Sequence, residues 1–208
     1  MLQSVHNRPF WLFLTHLEHK LQGYCLTIRK WQYGDKKKTK QNLELKINHQ
    51  YYSLILPYID YCSMIWGNTS KTNIMKIQRA QNKYARIVLN ESMFCPSLYL
   101  LNTLRWQSIV QRIEYQQCLM VYKILHNRTP SYLTRLISYR PVFYSTRYAI
   151  NSPLYVPTPR TDYMKHSLSF KGSSIFNKLP LVVQTCATLH SFRKQCRMIL
   201  SWLYLLFI

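Results

Sequence analysis

Acidic residues are the first shortage in this chain. Its 208 residues hold seven Asp and Glu against 28 Lys and Arg, for a formal net charge of +21. Glu18, Asp35, Glu44, Asp60, Glu91, Glu114 and Asp162 each stand alone, with no two close enough to suggest a local pair. A glycosidase pair or a two-metal centre needs carboxylates held side by side, so neither is locally encoded. An EF-hand, which needs several oxygen ligands in one short span, is excluded. Glycine is scarcer still: the chain has four, none in a phosphate-cradling pattern, so nucleotide-loop chemistry has no support. Six cysteines occur without a CxxC, and their wide spacing reads as reduced thiols rather than a disulfide scaffold. Cys186, His190 and Cys196 lack a fourth ligand nearby, which argues against structural zinc. No cofactor and no metal is expected.

Long apolar runs are missing as well. Phe10 to Leu14 is too short for a signal-peptide core, and His16 and Glu18 follow at once. The apolar stretch Met198 to Ile208 falls short of the ~20 residues that span a bilayer. It reads as the last turns of a buried helix, so no membrane partner is expected. The Asn-x-Ser/Thr sites at Asn68, Asn90 and Asn127 read as chance matches, and the nucleus or cytoplasm is the expected compartment.

What the chain does have is apolar and aromatic content, 48% and 14%, with 17 Tyr. That suits a globular chain of one domain or slightly more. The excess positive charge suggests an anionic partner. Residues 1–46 form a distinct segment holding the run Lys36-Lys37-Lys38-Thr39-Lys40, which reads as a solvated linker, with a nuclear-localisation or nucleic-acid arm as the alternative.

From Ile47 onward, helical periodicity dominates. A helix is expected to reach Pro57 and kink or restart there, and Gly67-Asn68-Thr69-Ser70 breaks the chain. The spacing predicts a helix over Lys71–Leu89, capped by Ser70, Thr72 or Asn73, with Ile74, Ile77, Ala80, Tyr84, Ile87 and Val88 on its apolar stripe. Lys76, Arg79, Lys83 and Arg86 gather on a second stripe that no acid interrupts. Like charges at this spacing repel one another, so an unmixed stripe points to an anionic partner; a solvated face is the bland alternative. A second helix is predicted over Trp106–Leu125, with Gln117 as its single polar intrusion, then a short one over Ser131–Ile137 after Pro130. Residues 139–170 are rich in Pro and Tyr and read as extended. A last helix begins after Ser191, with Phe192, Cys196, Ile199, Leu200 and Leu203 inward and Arg193, Lys194 and Arg197 outward. The expected fold is mainly α: a small helical domain over 47–138, an extended segment over 139–170 between the central and last helices, and a helical segment over 171–208.

Several stretches, in order, carry a resemblance. Leu54-Ile55-Leu56-Pro57-Tyr58-Ile59-Asp60-Tyr61 leads into Trp66-Gly67. Lys76-Ile77-Gln78-Arg79-Ala80-Gln81-Asn82 leads into Ala85-Arg86, Leu104-Arg105-Trp106 precedes Arg112-Ile113, and Leu125-His126-Asn127 runs on to Pro130-Ser131-Tyr132-Leu133. Phe176-Asn177-Lys178-Leu179-Pro180 and Leu189-His190-Ser191-Phe192 complete the series. The set resembles the region after the catalytic core in reverse-transcriptase-like proteins of non-long-terminal-repeat retrotransposons, of the jockey-like or chicken-repeat-like kind. Phe176 stands where that family usually has Trp, Asn127 where it has Gly, and Ser108-Ile109 where it often has Leu-Pro. Tyr58-Ile59-Asp60-Tyr61 is similar to half of the catalytic Tyr-x-Asp-Asp turn, but Tyr61 occupies the second Asp position and no partner carboxylate follows.

The resemblance implies a noncatalytic piece of an RNA-directed DNA polymerase lineage, with no catalytic residue on this chain. It implies contacts to the phosphates of RNA or an RNA–DNA duplex through Lys76, Arg79, Lys83, Arg86, Arg105, Arg112, Arg193, Lys194 and Arg197, and a polymerase core, supplied in trans, as a further partner. Residual polymerase activity and a degenerate product with no selected function are the alternatives.

Overall fold

The computed structural model describes residues 48–141 and 153–206, with a few positions before 46. The Lys36–Lys40 run, the apolar run Phe10–Leu14 and residues 142–152 lie outside the described residues. The chain is mainly helical, as the periodicity predicts, and divides into two compact units, Met1–Val110 and Gln111–Ile208. The boundary falls within a helix, inside the stretch 47–138 that the sequence suggests is one region. Among the described residues, no helix is long and apolar enough to cross a membrane.

In the first unit, a π-helical turn over Tyr51–Ile55 runs into α1 (Leu56–Asp60), and Pro57 sits in its first turn. The restart expected at Pro57 therefore takes the form of a widened turn just before it, where the missing proline N–H costs no helical hydrogen bond. After α2 (Ser63–Trp66) and the Gly67–Ser70 break comes α3 (Lys71–Leu89), with the predicted bounds. Ser70 takes the N-cap position without a side-chain cap bond, and Asn73 instead ties back to Thr69 Oγ1 at 3.0 Å. The buried face of α3 holds Ile74, Ile77, Tyr84, Ala85 and Val88, with Gln81 at its centre at 1% exposure. Ala80, expected on that face, is only half-buried. α4 (Ser97–Leu104) follows, unforeseen in the periodicity, and buries Leu100, Leu101 and Leu104. Trp106 lies beyond it rather than on the next helix, and it stacks on Tyr51 with ring centroids 3.6 Å apart. Its Nε1 donates to Asn48 Oδ1 at 2.8 Å.

In the second unit, α5 (Ile109–Leu125, whose first two residues belong to the first unit) carries Tyr115, Cys118, Leu119, Val121 and Tyr122 into the core. Gln117 is fully buried. The helix ends at Asn127, which adopts φ 51°. α6 (Ser131–Thr134) is shorter than predicted and starts after Pro130. Over 153–161 the backbone is irregular, with one isolated bridge, Tyr139 to Leu154, the only β pairing among the described residues, and Leu154 is buried in the core. Beyond it, α7 (Asp162–Lys165) and a π-helical turn over Leu168–Gly172 replace the extended backbone expected to 170. Gly172 lets that turn approach α5, since a Cβ there would lie 3.0 Å from Val121 Cγ2. α8 (Ser173–Asn177), α9 (Leu181–Gln184) and α10 (Leu189–Leu206) complete the unit. Phe192, Cys196 and Leu200 of α10 point inward as predicted. Pro96, Pro130 and Pro180 each stand immediately before a helix with extended ψ, so one local device starts α4, α6 and α9.

Candidate nucleic-acid interface

The α3 stripe is partly as expected. Lys76, Arg79 and Lys83 are exposed on the helix, joined by Thr72. The seven residue steps from Lys76 to Lys83 span about 10 Å of helix axis. Arg86 behaves differently. It is half-buried, and its Nη2 donates to the carbonyl of Cys95 at 3.2 Å. That contact folds the loop after α3 back onto the helix and leaves Arg86 a structural clamp rather than an outward phosphate contact.

The remaining predicted cations fall into separate places. Arg105 is exposed and ends α4 at φ 55°, a left-handed conformation unusual for a side chain of this kind. Arg112 of α5 and Arg197 of α10 meet around one ring: their guanidinium carbons lie 5.3 Å and 5.5 Å from the centroid of Tyr115. Tyr115 is 3% exposed, so the pair marks where the two helices pack as well as presenting charge. Cation–π attraction of this kind offsets part of the repulsion between the two guanidiniums. Arg193 and Lys194 are exposed on α10 beside them. The structure thus yields a cation line on α3 in one unit and an Arg112–Arg197 pair flanked by Arg193 and Lys194 in the other.

The polar residues of the motifs turn inward. Gln81 Nε2 donates to Tyr51 Oη at 2.8 Å and to the Gln107 carbonyl at 2.9 Å. Gln78 Nε2 donates to Gln81 Oε1 and Asn82 Oδ1, at 2.8 Å and 2.9 Å. Gln78 Oε1 in turn accepts from the Ile109 N–H at 2.8 Å, satisfying a donor at the start of α5 that no intrahelical carbonyl reaches. Asn177 does the same for the 153–161 stretch: its Oδ1 accepts from the Leu154 N–H at 3.1 Å and its Nδ2 donates to the Leu154 carbonyl at 2.9 Å. Tyr122 Oη donates to the Cys186 carbonyl at 2.8 Å. These side chains connect distant parts of the chain and so specify the fold.

Asp60 closes α1 and is half-buried. Among the described residues, no three His, Cys, Asp or Glu gather as a metal-binding group. Cys118 and Cys196 are both fully buried. The hydrogen bond between their thiols, followed by burial, pushes the Cys118 thiol well above its ordinary range. Such thiols are poor nucleophiles, so this pair belongs to the core.

One exposed feature has almost no signal in the sequence. The loop between α3 and α4 presents Met93 and Phe94, at 85% and 95% exposure. Its only sequence signal is an apolar pair between the Asn90 helix end and Pro96, in a stretch too short to show periodicity. No known protein family, characterised protein or solved structure matches the chain.

Proposed function

We propose that this chain carries the noncatalytic region that follows the polymerase core in a non-long-terminal-repeat retrotransposon reverse-transcriptase-like protein, and that it binds the backbone of RNA or an RNA–DNA duplex. The observation that carries the binding is the exposed, acid-free line of Lys76, Arg79 and Lys83 on α3, in a chain of net charge +21. Such a line neutralises successive phosphates and reads no bases, so its contacts position rather than specify. Arg105, Arg112, Arg193, Lys194 and Arg197 add charge at their own places, while Arg86 supports the loop.

The lineage rests on the ordered motifs, and their structural roles support it. The Gln-x-x-Gln-Asn stretch, Trp106 and Asn177 each hold two distant parts of the chain together, as fold-specifying residues would. Asn127 adopts φ 51° where the resembled family has Gly, and Asn is the residue that best tolerates a position Gly favours. The reading places the protein in the nucleus or cytoplasm, where its ligand is found, with a polymerase core supplied in trans as a second partner.

A salt titration of binding to an RNA–DNA duplex tests the proposal. A protein making ~6–10 phosphate contacts loses about 10³–10⁵ in affinity between roughly 50 and 200 mM salt. Flat salt dependence, or no binding at low salt, would sink it. A second reading, a degenerate product without selected function, is favoured by Ile65 and Val182, which are 74% and 71% exposed. It predicts aggregation or broad unfolding. A sharp, cooperative thermal transition of a monomer counts against it.

A further inference from the structure

Phe94 contributes no packing to its own unit at 95% exposure, and Met93 beside it contributes little at 85%. Yet the loop that carries them is held. The Glu91 N–H donates to the Arg86 carbonyl at 2.9 Å, and the Cys95 N–H to the Ser92 carbonyl at 3.2 Å. Arg86 Nη2 donates to the Cys95 carbonyl, also at 3.2 Å. Arg79, Lys83 and Arg86 lie within about 60° of one another around α3 at ~100° per residue. Helical side chains lean toward the helix N-terminus. The clamped Cys95 carbonyl, with Phe94 directly before it in the chain, therefore lies at the C-terminal end of the cation line. Glu91 is the one acid on this loop.

A presented aromatic ring at the end of a cation line suits a polyanion that also offers flat apolar faces. Unpaired nucleobases on a phosphate backbone have both properties, and a duplex hides those faces within its stack. We propose that Phe94, with Met93 beside it, stacks on an unpaired base of a single-stranded nucleic acid whose phosphates run along Lys83, Arg79 and Lys76. This rests on the nucleic-acid reading above and narrows its ligand to strands with unpaired bases. Stacking of this kind tolerates any base, so the finger adds affinity without sequence preference.

Fluorescence anisotropy on the full chain tests it with three labelled probes of about 12 nucleotides: a homopyrimidine single strand, the same backbone without bases, and a blunt duplex. Phe94→Ala is expected to weaken binding of the base-bearing strand about 5- to 150-fold, while Phe94→Trp retains it. The baseless strand is expected to bind wild type and Phe94→Ala alike. If Phe94→Ala binds the base-bearing strand as wild type does, and salt dependence persists, the finger is overturned and the backbone reading stands. An unchanged affinity joined to a shift in oligomeric state overturns it too, and assigns the loop to a protein contact. If wild type binds none of the three probes at low salt, both proposals fall.

Discussion

Gln81 is a glutamine at the centre of an otherwise apolar helix face, and its amide connects α3 to Tyr51 and to the backbone just before α5. Removing it takes one hydrogen bond each from the buried Tyr51 hydroxyl, the Gln107 carbonyl and the Gln78 amide. Gln81→Ala is expected to lose about 2–3 kcal/mol, read from the urea midpoint, because three hydrogen bonds at about 1 kcal/mol each are lost. Lys83→Ala, two positions away and exposed, is expected to stay within about 0.5 kcal/mol of wild type. Asn127 offers a second test at this scale. At φ 51° an ordinary side chain meets the following carbonyl, so Asn127→Ala is expected to cost about 1 kcal/mol while Asn127→Gly costs nothing measurable in Tm. The motif letters Gln78, Gln81, Trp106, Asn127 and Asn177 were all visible in the sequence. Their partners were not, because each reaches a residue that only the folded chain brings near.

Among the elements, α3 is the most legible in the sequence and carries the proposed binding line. Its bounds were readable because nineteen residues of helical periodicity lie between the Gly67–Ser70 break and Asn90. The cation stripe was readable for the same reason, but one member was misplaced: Arg86 turns to the Cys95 carbonyl, since the loop after the helix folds back on it. The two kinds of cation separate experimentally. Lys83→Gln is expected to lower the salt slope of single-strand binding by ~0.7 with unchanged Tm. Arg86→Ala is expected to lower Tm and leave that slope nearly intact. The short helices α4, α8 and α9 carry little sequence signal because fewer than three turns give periodicity too little length; α4 and α9 are marked only by a lone proline before them. α5 begins at Ile109 rather than Trp106 because Trp106 is drawn into the stack with Tyr51.

For the molecule as a whole, alkaline pH is the sensitive direction. The Cys118 thiol, held neutral by the Cys196 thiol and by burial, ionises in the folded state only above its ordinary value of 9.0. The unfolded chain releases that proton near its ordinary value, so stability falls as pH rises above it, until the folded thiol titrates too. The urea midpoint is expected to drop on going from about pH 8 to pH 9.5, and Cys118→Ala to flatten part of that slope. Cys62, which is exposed, is expected to react with a thiol reagent in the native protein, whereas Cys118 and Cys196 react only after unfolding.

The sequence by itself determined the helical class, the positions of the long helices, the chain breaks and the surplus of cations, because periodicity and breaker residues act over a few neighbouring positions. Only the tertiary structure decided that Gln81 and Asn177 are internal connectors, that Arg86 clamps a loop, and that Arg112 and Arg197 share the ring of Tyr115. Gln81 bonds residues 30 and 26 positions away, and Asn177 one 23 positions away. At such separations, a polar side chain's partner is set by how helices pack, and no local pattern encodes it.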